Sequence, residues 1–250
     1  MTQSRVRQFV YRFLPPLLAI GYGSYLLWLF FSKKVLLFVQ QGYVFLSLIS
    51  GIFLILVGCI ELVHFAVSKR SKESCEATHE GPLYLLALLL PLVFALVVIP
   101  KPLSSSTAAL RSGGINTDAA YTQPQHKLSM FAIDTTNRSI IDWIQLFTQD
   151  PEPDRYKGLK VKLDGFVMED PTLPPNYFLV SRFVISCCAA DARPVGIPVR
   201  YDPKKVQIHS DDWVEVTGTL DIDEIQQDRQ PVVIADGIQP IPVPDNPYAN

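Results

Sequence analysis

The sequence predicts a mixed membrane protein, with α-helices in its first part and a small β domain in its second. Two observations lead to this fold class. Residues 1–100 contain three long apolar stretches, and residues 127–250 contain short segments in which apolar and polar residues alternate. Apolar stretches of about 20 residues indicate transmembrane helices, whereas alternation indicates half-buried strands. Between these parts, residues 101–126 are rich in Ser, Gly, Pro and Thr, which predicts a flexible linker.

The first predicted transmembrane helix covers residues 13–31, which contain no Asp, Glu, Lys or Arg. Pro15 and Pro16 fall in its first turn, where a missing backbone donor costs least. Trp28 lies near its far end, a typical position for an interfacial aromatic residue. The basic start also resembles a signal peptide, but residues 31–34 offer no small-residue cleavage site. We therefore interpret this helix as an uncleaved anchor.

Two further transmembrane helices are predicted, over residues 41–65 and 83–99. The second has an uncharged and mostly apolar centre from residue 44 to residue 60. The third is closed by Pro100 and Pro102, and its 17 residues are at the short end of what can span a bilayer. The lipid bilayer is therefore an expected partner of this part of the chain.

The short basic loops predict the orientation of these helices, since cytoplasmic loops carry an excess of Lys and Arg. Six basic residues lie on one side of the predicted spans and three on the other. The N-terminus and the 68–82 loop are then cytoplasmic, and the chain after Pro100 is extracytoplasmic. The six are Arg5, Arg7, Arg12, Lys69, Arg70 and Lys72, and the three are Lys33, Lys34 and Lys101.

Residues 127–250 predict one helix followed by five strands. Ser139 is placed to cap a helix that Pro151 ends, with Asp142 three residues after the cap. The strands are short and regularly spaced, which suits a small OB-like β-barrel, although another small barrel fits nearly as well. The predicted strands cover residues 159–164, 177–186, 195–199, 212–220 and 232–234.

The charge distribution argues against a nucleic-acid partner for the β domain. Residues 1–100 hold eight basic and four acidic residues, which leaves 14 basic and 20 acidic residues for the rest, a net charge of −6. An acidic domain repels a phosphate backbone. We therefore expect the outer domain to contact a protein or its cargo, and no nucleic acid.

Four cysteines are present, and two of them, Cys187 and Cys188, are adjacent in an unusual segment at the end of a predicted strand. Strict alternation would place Cys187 in the core as a small apolar residue and Cys188 on the opposite face with Arg182. A guanidinium near Cys188 would favour its thiolate form. Asp191 could orient Arg182 or join Cys188 as a metal ligand. Simple packing is the alternative for both residues.

A second group of possible metal ligands lies at the cytoplasmic end of the second span. Glu61 and His64 are three residues apart and share a helical face, and the following loop supplies Cys75 and His79. Carboxylate, imidazole and thiolate groups suit zinc or a similar metal. The spacing matches no known zinc motif, so the alternative is a polar helix end at the headgroup level.

The sequence contains no Gly-rich phosphate loop, no GxSxG and no HExxH motif. We therefore predict that the protein is not an enzyme. No cofactor is expected, and zinc is the alternative.

Residues 182–191 match an RF-x-I-x-x-C-x-A-D motif of one protein family, and residues 211–220 match a second segment of the same family. The matching residues of the first motif are Arg182, Phe183, Ile185, Cys188, Ala190 and Asp191. Together with three membrane helices and a polar loop after the second, these motifs resemble the YcgQ-like family of bacterial membrane proteins. The resemblance implies a multi-pass protein of the plasma (inner) membrane that is the accessory subunit of a two-component permease, with a separate multi-span permease as partner. Some relatives carry a loop dense in His and Cys, whereas the 68–82 loop here retains only Cys75 and His79.

These observations support a leading hypothesis and two alternatives. The leading hypothesis is a non-enzymatic permease subunit whose outer β domain contacts the partner or its cargo. The first alternative is a metal-binding membrane protein that uses Cys188 and Asp191, or the group of Glu61, His64, Cys75 and His79. A thiol oxidoreductase built on Cys187 and Cys188 is disfavoured, because adjacent cysteines bridge poorly and no CxxC motif is present.

Overall fold

The computed structural model describes residues 2–67, 82–111, 135, 138–225 and 227–249. The chain divides into two compact units. The helical unit consists of Met1–Val35 and Gly42–Lys101, and the β unit consists of Leu36–Gln41 and Pro102–Asn250. The short segment Leu36–Gln41 thus belongs to the β unit, although it lies between two helices of the helical unit in sequence.

The helical unit contains α1 (Thr2–Phe31), α2 (Val44–Val67) and α3 (Pro82–Val97). Helix α1 begins before the predicted residue 13, so Pro15 and Pro16 lie inside it and not in its first turn. Glycines allow α1 and α2 to approach closely, since a Cβ on Gly23 would lie 2.6 Å from the carbonyl oxygen of Gly51. A hydrogen bond links α1 to α3, in which the Tyr25 hydroxyl donates to the Ala95 carbonyl oxygen at 3.0 Å.

Two stretches of the helical unit are long and apolar enough to cross a membrane, Phe13–Phe31 and Gln41–Val67. Only 22% and 11% of their most apolar parts are buried within the molecule, unlike the core helix of a water-soluble protein. The third predicted helix is present as α3, but at 16 residues it is shorter than these two and contains Pro91. It ends two residues before the predicted limit, because Pro100 disfavours helical geometry in the residue before it.

The β unit contains a mixed six-stranded sheet. The strands are β1 (Lys160–Met168), β2 (Tyr177–Val184), β3 (Arg193–Arg200), β4 (Trp213–Ile225), β5 (Asp228–Pro240) and β6 (Tyr248–Ala249). The first five are hydrogen-bonded in the order β1–β4–β5–β3–β2, and β2 also pairs with β1. All these pairs are antiparallel except β3–β5, and β6 adds to β2 in parallel.

Strand β1 changes partner near Gly165. Residues Lys160–Phe166 pair with β4, and Phe166–Met168 pair with β2. A Cβ on Gly165 would lie 2.5 Å from the carbonyl oxygen of Ser181, so only glycine allows this close approach of β1 to β2.

The predicted helix of the β unit is confirmed as α5 (Ile140–Gln149). Ser139 caps it, and Asp142 completes a capping box with the backbone of Ser139. The five predicted strands are present as β1 to β5. All of them except β2 are longer than predicted, and β6 was not predicted. Short 3-10 helices cover Lys34–Leu37, Gln41–Tyr43, Pro153–Tyr156 and Ala189–Asp191.

The prediction of a flexible linker over residues 101–126 differs from the structure in its first part. Ser105–Arg111 form a short helix, α4, and the side chain of Ala108 is fully buried. Ala108 packs into a small core with Phe166, Phe183 and Tyr248, next to a larger core between α5 and the sheet. The small residues that suggest flexibility here allow close packing instead.

Candidate functional site

The candidate site is the turn that follows β2. This strand ends at Val184, two residues earlier than predicted, and Ser186 and Cys187 lie in a bend. The prediction that Cys187 is a core residue is therefore wrong: Cys187 is exposed, whereas Cys188 is partly buried. Alternation between faces holds only within a regular strand, so it does not extend past Val184.

Asp191 fixes the shape of this turn through its carboxylate. One carboxylate oxygen accepts the backbone N–H of Ser186 at 2.9 Å, and the other accepts that of Cys187 at 2.8 Å. The backbone N–H of Asp191 donates to the carbonyl oxygen of Cys188 at 3.0 Å. These bonds hold the two cysteines and the carboxylate on one short loop.

The two thiols and the carboxylate lie close enough to share a cation. The sulfur atoms of Cys187 and Cys188 are 3.6 Å apart, and both cysteines are free. The ligand atoms of these residues and Asp191 all lie within 4.8 Å of one another. Two sulfur ligands at about 2.3 Å from a tetrahedral zinc ion would be about 3.8 Å apart, so the thiols have nearly the required spacing.

The short distances between Cys187, Cys188 and Asp191 shift the pKa values of Cys187 and Asp191. Hydrogen bonding to Asp191, followed by the neighbouring Cys188 thiol, raises the pKa of Cys187 to about 11. Burial alone would raise the pKa of Asp191, but the backbone donors of Ser186 and Cys187 outweigh it and lower this pKa. Asp191 is therefore a carboxylate at neutral pH, and Cys187 retains its proton unless a cation replaces it.

Segment Leu36–Gln41 holds the outer side of the turn. The backbone N–H of Gln40 donates to the carbonyl oxygen of Cys187 at 3.1 Å, and Val39 forms an antiparallel bridge with Cys188. The backbone N–H of Ala189 donates to the carbonyl oxygen of Phe38 at 2.8 Å. Sequence reasoning missed this segment. Its signal was the apolar run at residues 35–39, which is unusual for a short loop.

Two side chains from distant parts of the chain complete the support of the turn. Arg111 of α4 donates to the carbonyl oxygens of Ala189 and Ala192, both at 3.0 Å. The hydroxyl of Tyr248 donates to the carbonyl oxygen of Leu37 at 2.7 Å, and burial raises the pKa of Tyr248 to about 12. The turn is thus held from α4, from β6 and from Leu36–Gln41.

The first two residues of the sequence motif serve the fold of the sheet. Arg182 forms an ion pair with Asp164 and lies over the ring of Trp213. Burial lowers the pKa of Arg182, and Asp164 opposes this shift. The guanidinium expected beside Cys188, or oriented by Asp191, is therefore paired with Asp164. Phe183 is buried and stacks on Phe166 at 5.3 Å between ring centroids.

Only two members of the second predicted group, Glu61 and His64, belong to the described residues. Glu61 and His64 are exposed on α2, and the His64 ring contacts Phe65. Cys75 and His79 lie outside the described residues. Within the described part of the chain, Cys187, Cys188 and Asp191 are the one group of three His, Cys, Asp or Glu side chains close enough to hold a metal ion.

Comparisons with known proteins place both parts of the chain in one family. Residues 15–114 match the DUF1980 N-terminal domain, and residues 115–250 match the DUF1980 C-terminal domain. The UPF0703 protein YcgQ of Bacillus subtilis (strain 168) is 32% identical over 98 residues, which cover 38% of this chain and 34% of that relative. The match thus spans about a third of the relative's length. The chain therefore belongs to the DUF1980 family, as the resemblance to YcgQ-like proteins predicts.

Proposed function

We propose that this protein is an integral membrane accessory subunit that crosses the plasma membrane three times. The observation that carries the proposal is the outward-facing apolar surface of the helical unit. Phe53 and Leu56 of α2 and Leu96 of α3 are all more than half exposed. Water-soluble proteins rarely expose contiguous apolar surface on this scale, whereas lipid accommodates it. In this proposal α3 forms the third span.

The β unit is proposed to be an OB-like barrel on the extracytoplasmic side. The pairing of β1 with both β4 and β2, and the parallel pairing of β3 with β5, support this architecture. The position of basic residues in the loops supports the orientation, with the N-terminus in the cytoplasm. The role of the domain is then contact with a partner or its cargo, without catalysis.

The proposed partner is a separate multi-span permease, and the family resemblance supports this choice. The test is to purify the tagged full-length protein from native membranes in a mild detergent and to identify what accompanies it. Stoichiometric recovery of a multi-span membrane protein is expected. Recovery of the protein alone, with membrane integration intact, would contradict the partnership, and release by alkaline washing would contradict the membrane assignment itself.

Metal binding is the second candidate function, and the spacing of Cys187, Cys188 and Asp191 favours it. The cytoplasmic group of Glu61, His64, Cys75 and His79 is the other place where a metal could bind. Elemental analysis of the purified protein decides whether a metal such as zinc is held. Comparison of a Cys188→Ser variant with a His64→Ala variant then decides which group holds it.

A further inference from the structure

We infer that Cys187, Cys188 and Asp191 form an open three-ligand site for a thiophilic divalent cation of the Zn²⁺ class, which enters and leaves by ligand exchange. The inference rests on the second candidate function and specifies its site, its cation and its mode of use. It does not depend on the permease partnership.

The ligand set selects the class of cation. Two thiolates and one carboxylate suit zinc and similar borderline or soft ions. Calcium and magnesium prefer six or more oxygen ligands, and the turn offers one carboxylate. The cation is therefore expected to prefer sulfur, and magnesium should not compete with it.

Hydrogen bonds within the protein arrange the backbone of the turn. Asp191 accepts two backbone N–H groups, yet each carboxylate oxygen keeps a second lone pair that can face a cation. Gln40 and Phe38 hold the backbone of Cys187 and Ala189 from the other side. Rotation of the two cysteine side chains would bring their sulfurs, now within 4.8 Å of the carboxylate, to bonding distance of one cation while Asp191 keeps its backbone hydrogen bonds.

The exposure of the site indicates exchange rather than a structural role. Structural zinc sites have four protein ligands and are closed, whereas a site with three protein ligands keeps one position open. Cys187 is exposed, and the turn holds its shape through hydrogen bonds that need no metal. Binding replaces the thiol protons of Cys187 and Cys188, which pass to water, and the open position accepts water or a donor atom from another molecule.

The test uses the full-length protein in detergent, titrated with Zn²⁺ against a chromophoric chelator. One Zn²⁺ per chain is expected, and Mg²⁺ in excess should not displace it. Co²⁺ in place of Zn²⁺ should give thiolate-to-metal charge-transfer absorption. Transfer of Zn²⁺ from the protein to excess chelator, followed by stopped-flow absorbance, should be complete within seconds.

The variants Cys187→Ser and Cys188→Ser should each weaken Zn²⁺ binding by at least ~100-fold, since loss of an outer partner alone costs about 10–100-fold. Asp191→Asn should weaken it less. Cys59→Ser is the matched control, because Cys59 is an exposed free cysteine on α2, and it should bind Zn²⁺ normally. Circular dichroism of the sheet shows whether each variant is folded.

Several results would overturn the inference. Undiminished Zn²⁺ binding in a folded Cys187→Ser, Cys188→Ser double variant would do so, as would loss of binding in Cys75→Ser or His79→Ala instead. Absence of Zn²⁺ binding by the native protein, or release that takes hours, would do so as well. Partner purification is a separate readout, so a protein that binds Zn²⁺ and recovers no permease contradicts only the partnership.

Discussion

The helical unit and the β unit use the same apolar side chains in opposite ways. Phe53 of α2 is 63% exposed, whereas Phe166 of β1 is 2% exposed. In the β unit, apolar residues fill two cores and the outer surface carries ion pairs, such as Lys162 with Glu215 at 3.1 Å. The helical unit presents Leu, Ile and Phe outward instead. This difference is the one expected from the proposed function, in which lipid surrounds the helical unit and water surrounds the β unit.

The largest expected effect comes from the same truncation made in each unit. Phe166→Ala should destabilise the β unit by about 3–5 kcal/mol, because it removes a buried ring that contacts Phe183 and Trp213. Phe53→Ala should change the free energy of unfolding by less than about 0.5 kcal/mol, since its ring is mostly exposed. Unfolding of the full-length protein in detergent, followed by circular dichroism, measures both. Equal losses would contradict the contrast between the units.

A charge placed on the outer surface of each unit should distinguish lipid from water. Leu56 is 55% exposed near the middle of α2, so Leu56→Lys should impair membrane integration by roughly 3 kcal/mol. Val243 is 49% exposed in the β unit, and Val243→Lys should have no measurable effect. Resistance to alkaline extraction from membranes is the measurement. Normal integration of Leu56→Lys would show that this face of α2 does not meet lipid.

The elements that could be predicted from sequence are those whose signals are local. The apolar stretches, the cap at Ser139 and the alternation in β1 each depend on a few neighbouring residues. Helix α4 was not predicted, because Ala108 is buried by Phe166 and Tyr248, which are distant in sequence. The change of partner in β1 at Gly165 depends in the same way on Ser181 of another strand.

The sequence predicted the residues Cys188 and Asp191 of the candidate site, but not the segment that packs against them. Spacing alone brought Cys188 and Asp191 together, since both lie on one turn. The exposed position of Cys187 follows from the end of β2 at Val184, which the run of apolar residues hid. The support from Leu36–Gln41 comes from a segment about 150 residues away in sequence, and no local pattern encodes such a pairing.

Close packing of α1 and α2 provides a third test, with a smaller expected effect. A Cβ on Gly23 would lie 2.6 Å from the Gly51 carbonyl oxygen and 2.7 Å from the Ile55 side chain, whereas one on Gly42 would meet nothing within 4 Å. Gly23→Val should therefore cost about 1–3 kcal/mol through overpacking. Gly42→Val is the control and should cost much less. The circular dichroism of the helices follows thermal unfolding, and equal midpoints for both variants would contradict this packing.

The smallest expected effect concerns an ion pair on the water-facing surface of the β unit. The ammonium nitrogen of Lys157 lies 2.9 Å from a carboxylate oxygen of Asp221, and the Lys157 side chain is exposed while that of Asp221 is half-buried. The hydrogen bond from Lys157 lowers the pKa of Asp221, and the bond to Asp221 raises the pKa of Lys157. The stabilisation is thus present above the ordinary aspartate pKa of about 3.9. It is lost as pH falls through the lowered pKa of Asp221, and at the alkaline end as pH rises through the raised pKa of Lys157.

The contribution of an exposed ion pair to the free energy of unfolding is too small to measure reliably. NMR titration of the carboxyl resonances of labelled aspartates measures the pKa of Asp221 directly. The pKa of Asp221 should lie below its usual value and return toward it in Lys157→Gln or in about 1 M salt, because water and ions screen an exposed pair. Lys205→Gln is the control and should leave this pKa unchanged. An Asp221 pKa that is unchanged in Lys157→Gln would contradict this ion pair. A pKa that responds to Lys157→Gln but not to salt would contradict the exposure of the pair to water.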